Sequence, residues 1–78
     1  MNVNENKTTS ESQNKMVAAW LNDGNSLTQM GALKMFGCFR LASRIFDLRE
    51  RGMNIVTEKV TLSNGKRIAV YKLNTNEQ

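Results

Sequence analysis

Apolar residues recur at helical spacing in three successive segments of the chain, and each series predicts one helix. In the first segment Ser10 and Gln13 fit a capping box, and Gly24 fits a left-handed helix end. The apolar stripe of this segment consists of Met16, Val17, Trp20 and Leu21. The spacing therefore predicts a first helix over about residues 11–23.

Two shorter apolar series follow in the middle of the chain. The first predicts a helix near residues 29–36, with Thr28 as its N-cap and Gly37 beyond its last turn. Gly37-Cys38 then permits a sharp change of direction before the second series. That series places Leu41, Ile45 and Leu48 on one arc of a helical wheel. We expect this third helix to span about residues 39–51.

The segment after Gly52 has the pattern of a β-hairpin. Residues 54–62 and 67–73 are rich in β-forming residues and flank Asn64-Gly65, the pair favoured in a two-residue turn. With that turn Leu62 pairs with Arg67, and one face is expected to pack on the helices. Its members are Val56, Val60, Leu62, Ala69, Tyr71 and Leu73. A very short strand at Ser26-Leu27 is expected on the edge of the hairpin.

Three helices followed by a β-hairpin are the elements, in order, of a winged helix-turn-helix, an α+β fold. An isolated hairpin is marginally stable in water, so this one must pack on the helices. We expect a disordered polar tail at residues 1–9, one domain at residues 10–73 and a C-terminal tail at residues 74–78.

Composition excludes several classes of function. The chain has one cysteine and no histidine, which excludes an intramolecular disulfide, a zinc finger and histidine-based catalysis. Cys38 is expected to be a buried structural thiol, and neither an enzyme, a metal site, a cofactor nor a small-molecule substrate is expected. No apolar run is long enough to cross a membrane and the polar opening does not resemble a signal peptide, so a cytoplasmic protein without a membrane partner is expected.

Positive charge is concentrated in the body of the predicted domain. The net charge of +4 divides into −1 for residues 1–25 and +5 for residues 26–78, where nine basic residues face four acidic ones. Such an asymmetry is typical of a surface that faces a polyanion such as nucleic acid.

The polar side of the third helix is where contact with duplex DNA is expected, because a recognition helix meets base edges near its N-terminus. Arginine can bond guanine with two hydrogen bonds, serine can serve either strand, and aspartate can accept from cytosine. The candidates are Arg40, Ser43, Arg44 and Asp47, with Arg51 further along. In the alternative interpretation this face is solvated and Asp47 pairs with Arg44 and Arg51.

Contacts with the DNA backbone are expected from the hairpin and from the start of the second helix. Lys59, Lys66 and Arg67 lie along or beside the hairpin tip, which can reach phosphates or the minor groove. Thr28 and Gln29 begin the second helix, whose N-terminus attracts anions. For Thr28, simple capping of the helix is equally compatible with the sequence.

Phe39 and Phe46 are seven residues apart, so the predicted helix places them on one face, away from its core positions. Two outcomes are open. Either the hairpin or the first helix covers them, or they form a protein-binding or dimer surface. Trp20, by contrast, is expected in the core.

Residues 27–73 resemble a family of small helix-turn-helix proteins encoded by phages and prophages. The resemblance is carried by GCFRLASRI at 37–45, DLRERG at 47–52, and Gly65-Lys66-Arg67 with Tyr71. It implies a winged-helix fold and DNA binding, with Arg40 and Arg44 on the family's arginine positions. The chain departs from the family at Gly31, where relatives often carry an acidic residue.

These features predict a non-enzymatic protein that binds double-stranded DNA as a phage transcriptional regulator or recombination accessory factor. The alternative is a winged-helix module that binds a host protein through Phe39 and Phe46 or through the β-hairpin, which is the wing of this fold. RNA binding is disfavoured because no exposed aromatic sheet motif is present. The pattern is compatible with a monomer or with a homodimer.

Overall fold

The computed structural model describes residues 9–74, which form three helices and one three-stranded antiparallel sheet. The elements are α1 (Ser10–Asn22), β1 (Leu27–Thr28), α2 (Gln29–Phe36), α3 (Leu41–Glu50), β2 (Ile55–Thr61) and β3 (Arg67–Leu73). The predicted α+β class and element order are confirmed. Except for Thr9 and Asn74, the predicted tails at 1–9 and 74–78 lie outside the described residues.

The capping box of α1 involves Thr9 and Ser12, so the prediction of Ser10 and Gln13 is wrong by one residue. The Ser12 N–H donates to Thr9 Oγ1 at 3.0 Å, and the Thr9 N–H donates to Ser12 Oγ at 3.0 Å. Thr9 and Ser10 are both good N-cap residues, so the sequence did not separate them. Gln13 lies inside the helix instead, and its Nε2 donates to the Gly37 carbonyl at 3.4 Å.

The turn between α2 and α3 is longer than predicted. Gly37 adopts a left-handed φ of +66° and ends α2, but α3 begins only at Leu41. Arg40 is the N-cap of α3 and Phe39 precedes it, so neither residue lies in the helix as predicted. The predicted helical face shared by Phe39 and Phe46 is therefore wrong, because the chain needs residues 37–40 to reverse direction.

The hairpin contains a three-residue turn, which corrects the predicted register. The Leu62 N–H donates to the Lys66 carbonyl at 2.7 Å, and the Gly65 N–H donates to the Leu62 carbonyl at 2.9 Å. Among residues 9–74 only glycines have positive φ, Gly65 (+89°) included, so Asn64 does not adopt the conformation that a type I′ turn requires. Instead, Asn64 Oδ1 accepts from the Lys66 N–H at 2.9 Å.

A shift of one residue in register turns every side chain of β2 to the opposite face. Ile55, opposite Leu73, is buried, whereas Val56 and Val60 lie opposite Lys72 and Ile68 on the face away from the helices. The predicted packing of Val56 and Val60 on the helices is therefore wrong, while Tyr71 and Leu73 pack against the core as predicted.

β1 lies on the other side of β3, where Leu27 is opposite Tyr71 and Thr28 is opposite Val70. The sheet order is β1-β3-β2. The short edge strand expected at Ser26-Leu27 is therefore present one residue later. Its pairing fixes the start of α2 against the hairpin, because Gln29 follows β1 directly.

The core draws apolar side chains from all three helices and from strands β1 and β2. Its buried members are Val17, Leu21, Leu27, Ala32, Cys38, Leu41, Ile45, Leu48 and Ile55. The predicted core arc of α3 and the buried Cys38 are confirmed. Trp20 packs against this core with its ring edge-to-face on Phe36, at 6.2 Å between ring centroids.

Candidate nucleic-acid interface

The side chain of Gln29 joins the start of α2 to the start of α3. The Leu41 N–H donates to Gln29 Oε1 at 2.8 Å, and Gln29 Nε2 donates to the Cys38 carbonyl at 2.7 Å. Arg40 makes no side-chain capping bond at this helix start, so Gln29 supplies the cap from a distance. The Gln29 amide, predicted to contact phosphate, is engaged in fixing the position of α3.

Thr28 acts as the N-cap of α2. Its Oγ1 accepts from the Gly31 N–H at 3.0 Å, in the geometry expected of a threonine N-cap. The predicted capping role is confirmed, and contact of this residue with phosphate stays a prediction.

Arg44 and Asp47, both predicted to face DNA, are bonded to each other and packed against α1. Arg44 Nη2 lies 3.3 Å from Asp47 Oδ2, and the two side chains are 13% and 33% exposed. Asn14 on α1 is buried, and its Nδ2 donates to the same Asp47 oxygen at 3.2 Å. The structure thus has the pairing of Asp47 with Arg44 that the alternative interpretation proposed. Asn14 was missed because it lies 33 residues from Asp47 in the chain.

Arg51 also contacts α1, through the side chain of Glu11. Its two terminal nitrogens donate to the Glu11 carboxylate at 2.7 and 3.0 Å. These hydrogen bonds lower the pKa of Glu11 below its ordinary value and raise the pKa of Arg51. Arg51, predicted to contact DNA, therefore joins the C-terminal end of α3 to the start of α1.

The Glu11–Arg51 pair gives the stability of the fold a dependence on pH. A carboxyl group whose pKa is lowered by folding stabilises the native state above its unfolded-state pKa, about 4.3 for glutamate. That contribution is lost as the pH falls through the lower pKa of the native state. Thermal denaturation at low salt should therefore show a smaller loss of stability between neutral and acidic pH for Glu11→Gln than for the wild type. Glu50→Gln, on the exposed side of α3, should retain the wild-type loss, and an unchanged pH dependence in Glu11→Gln would contradict the prediction.

Arg49 connects α3 to the hairpin, a role that sequence reasoning missed. Its Nε and Nη2 donate to the Ile55 carbonyl at 3.0 and 2.7 Å, and Nη2 also donates to Thr57 Oγ1 at 3.0 Å. The wing is thereby fixed relative to α3. The only signal in the sequence was the basic character of the last turn of α3.

Within residues 9–74, four predicted cations are exposed and have no acidic partner: Arg40, Lys59, Lys66 and Arg67. We call this set the free cations. Within the described part of the chain, Lys15 and Lys34 are exposed and unpaired as well, whereas Lys72 pairs with Glu58 at 3.1 Å. Ser43, at the start of α3, is half-buried.

A groove of about 360 Å³ lies between the tip of the wing and the start of α2. It is lined by Thr28, Gln29, Met30, Leu62, Lys66, Ile68 and Ala69. Because Gln29 also bonds the start of α3, the wing tip, the start of α2 and the turn before α3 belong to one end of the molecule. Lys66 lines the groove, and Arg40 is the N-cap of α3 at the end of the turn.

Phe39 and Phe46 are exposed, at 78% and 62%. The expectation that the hairpin or α1 covers them is therefore wrong. Phe39 lies in the turn and Phe46 on the solvent side of α3, opposite the buried Leu41, Ile45 and Leu48. The other outcome, a protein-binding or dimer surface formed by the two exposed rings, stays a prediction.

A helix pair joined by a tight turn, preceded by one helix and followed by a β-hairpin, defines the class of winged helix-turn-helix domains. A family model described as a winged helix-turn-helix domain matches residues 12–76, and the chain belongs to that family. No curated protein and no solved structure matches the chain.

Domains of this family are typically DNA-binding modules without enzymatic activity, and membership supports the DNA-binding prediction at this level of detail. Within residues 9–74 no helix is both long and apolar enough to cross a membrane.

Proposed function

We propose that the chain binds duplex DNA with the start of α3 in the major groove and the wing on the flanking backbone, as a phage transcriptional regulator or recombination accessory factor. The observation that carries this proposal is the set of free cations. Arg40 stands at the N-terminus of α3, and Lys59, Lys66 and Arg67 stand on the hairpin. The other arginines of α3 and its C-cap are bonded within the protein.

In this function each free cation neutralises a phosphate and releases condensed counterions. Lys66 and Arg67 at the wing contact the flanking backbone, and Arg40 enters beside the recognition helix. Arg44, Asp47 and Arg51 support the interface by holding α3 against α1 through Asn14 and Glu11.

Fluorescence anisotropy of a labelled random-sequence duplex tests the proposal with the full chain. We expect binding at low salt that weakens steeply as salt is added, with a slope in log–log form of about −0.9 for each phosphate neutralised. The Lys15→Ala/Lys34→Ala double variant is the matched control, because it removes two exposed, unpaired cations outside the proposed interface. Absence of binding at low salt would overturn the proposal.

Selection of bound sequences from a random duplex pool distinguishes the two proposed roles. A site-specific regulator enriches one sequence motif, whereas an architectural accessory factor enriches none strongly. An inverted repeat in that motif would identify a two-fold homodimer on DNA.

A second function, docking of a host protein, is favoured by the exposure of Phe39 and Phe46. As the sole function of the chain, it predicts that random duplex is not bound even at low salt. The same anisotropy titration therefore separates the two functions.

A further inference from the structure

The exposed surface at the start of α3 is largely apolar. Phe39 precedes the helix, and Ala42 and Phe46 lie one turn apart on its solvent side. All three residues are exposed; Phe39 belongs to the turn and not to the helical face, and we call the three residues together the aromatic face. A recognition helix normally places its base-reading side chains at this position.

Ser43 is half-buried one turn before Phe46, and the charged residues of the same two turns are bonded within the protein. Arg44 is only 13% exposed and is paired with Asp47, which also accepts from Asn14 on α1. Reading guanine with both terminal nitrogens would require Arg44 to leave this ion pair and its packed position. In its first two turns α3 therefore presents mainly the Phe46 ring and the Ala42 methyl group without rearrangement, and the turn before it presents the Phe39 ring.

The charge around the aromatic face identifies its occupant. Arg40 adjoins Phe39 directly, and Lys66 and Arg67 stand at the wing tip on the same end of the molecule. Glu50 is exposed one turn after Phe46, but the three cations outnumber it at this end of the molecule, and a polyanion fits this combination of cations and apolar residues. In the major groove of duplex DNA the one apolar feature of the base edges is the C5 methyl group of thymine.

We infer that the aromatic face reads thymine methyl groups, with Phe46 as the main contact and Phe39 as the second. This inference rests on the DNA-binding function proposed above. Both rings remove methyl groups from water when α3 enters the groove, and this contact is available only where thymine is present. Specificity thus comes from apolar contacts, while the free cations supply affinity that is independent of sequence.

Two duplexes that differ only in these methyl groups test the inference. One is an alternating A·T duplex, and the other has every thymine replaced by deoxyuridine, which pairs identically and lacks the C5 methyl group. From the transfer free energy of one methyl group we expect the thymine duplex to bind about fourfold more tightly for each methyl contacted. Full-length protein is titrated into both duplexes by fluorescence anisotropy under identical salt conditions.

Variants separate contact by the aromatic face from differences in DNA stiffness. Phe46→Ala should cause the larger fall in the thymine-to-uracil affinity ratio and leave the salt slope unchanged, since no cation is lost. Phe39→Ala lies outside α3 and should lower the ratio partly, without any effect on the helix. Met35→Ala is the matched control, because Met35 is an exposed apolar residue on α2 and should retain the wild-type ratio.

Each outcome decides between the proposals. Equal affinity of the wild type for the two duplexes, or a ratio that survives both phenylalanine substitutions, would overturn the inference and leave the aromatic face to a protein partner. In either case binding of random duplex with a steep salt slope would still support the DNA-binding function. Absence of binding to any duplex would overturn both.

Discussion

Replacing Arg40, Lys66 and Arg67 together by alanine is expected to lower the affinity for random duplex DNA by about two to three orders of magnitude at about 0.1 M salt. Each substitution removes one phosphate contact and the counterion release that accompanies it. The log–log salt slope should become shallower by about three, because each contact contributes about 0.9. Anisotropy titrations at several salt concentrations measure both quantities.

Folding of this triple variant should be unaffected, because all three side chains are exposed and form no ion pair. Equal thermal midpoints for wild type and variant would establish that the loss lies in binding. The Lys15→Ala/Lys34→Ala double variant should keep nearly the wild-type affinity and slope. Parallel losses in the triple and double variants would show that binding depends on net charge and not on the proposed interface.

The Gln29→Leu variant is expected to lose about 1–2 kcal/mol of unfolding free energy, because it leaves the Leu41 N–H and the Cys38 carbonyl without their partner. Both hydrogen bonds are part-buried and Gln29 itself is exposed, so water replaces the amide in part. Leucine preserves most of the side-chain volume and removes only the two hydrogen bonds. Urea denaturation followed by circular dichroism measures the change.

Two further variants show whether these bonds cause the loss. Gln29→Glu keeps an oxygen for the Leu41 N–H and removes the donor to the Cys38 carbonyl, so its stability should lie between wild type and Gln29→Leu. Lys34→Ala, at an exposed site on the same helix, should change stability by no more than about 0.5 kcal/mol. A Gln29→Leu variant as stable as Lys34→Ala would refute the capping role.

The local patterns of the sequence predicted the helices and their buried positions. The stripe of Leu41, Ile45 and Leu48 was correct because burial of one helix face imposes a strict period. The hairpin was also correct, but its register was not. Asn64-Gly65 fits a two-residue and a three-residue turn, and only the φ of Asn64 decides between them. The three-residue turn shifts the register of β2 by one residue, so Val56 and Val60 lie on the face of the sheet away from the helices and not on the predicted face.

The candidate site was predicted less completely than the fold, because its geometry depends on partners distant in the chain. Arg44 was identified as an exposed reader, yet Asn14 and Asp47 draw it against α1. The link from Gln29 to Leu41 likewise spans 12 residues. No period or motif within a single helix records such contacts, whereas Lys59, Lys66 and Arg67 were assigned to the wing from the hairpin pattern and are exposed there.

The side-chain bonds that fix the position of α3 have a thermodynamic consequence for ligand binding. Gln29 is hydrogen-bonded to its N-terminal end, Arg49 bonds its last turn to the hairpin, and Arg51 pairs its C-terminal end with α1. The recognition surface is thus ordered before any encounter, and little conformational entropy remains to be lost on binding. Gln29→Leu removes no charge, so it should weaken binding mainly through the entropy lost in ordering α3, although the Gln29 side chain needs no contact with the ligand.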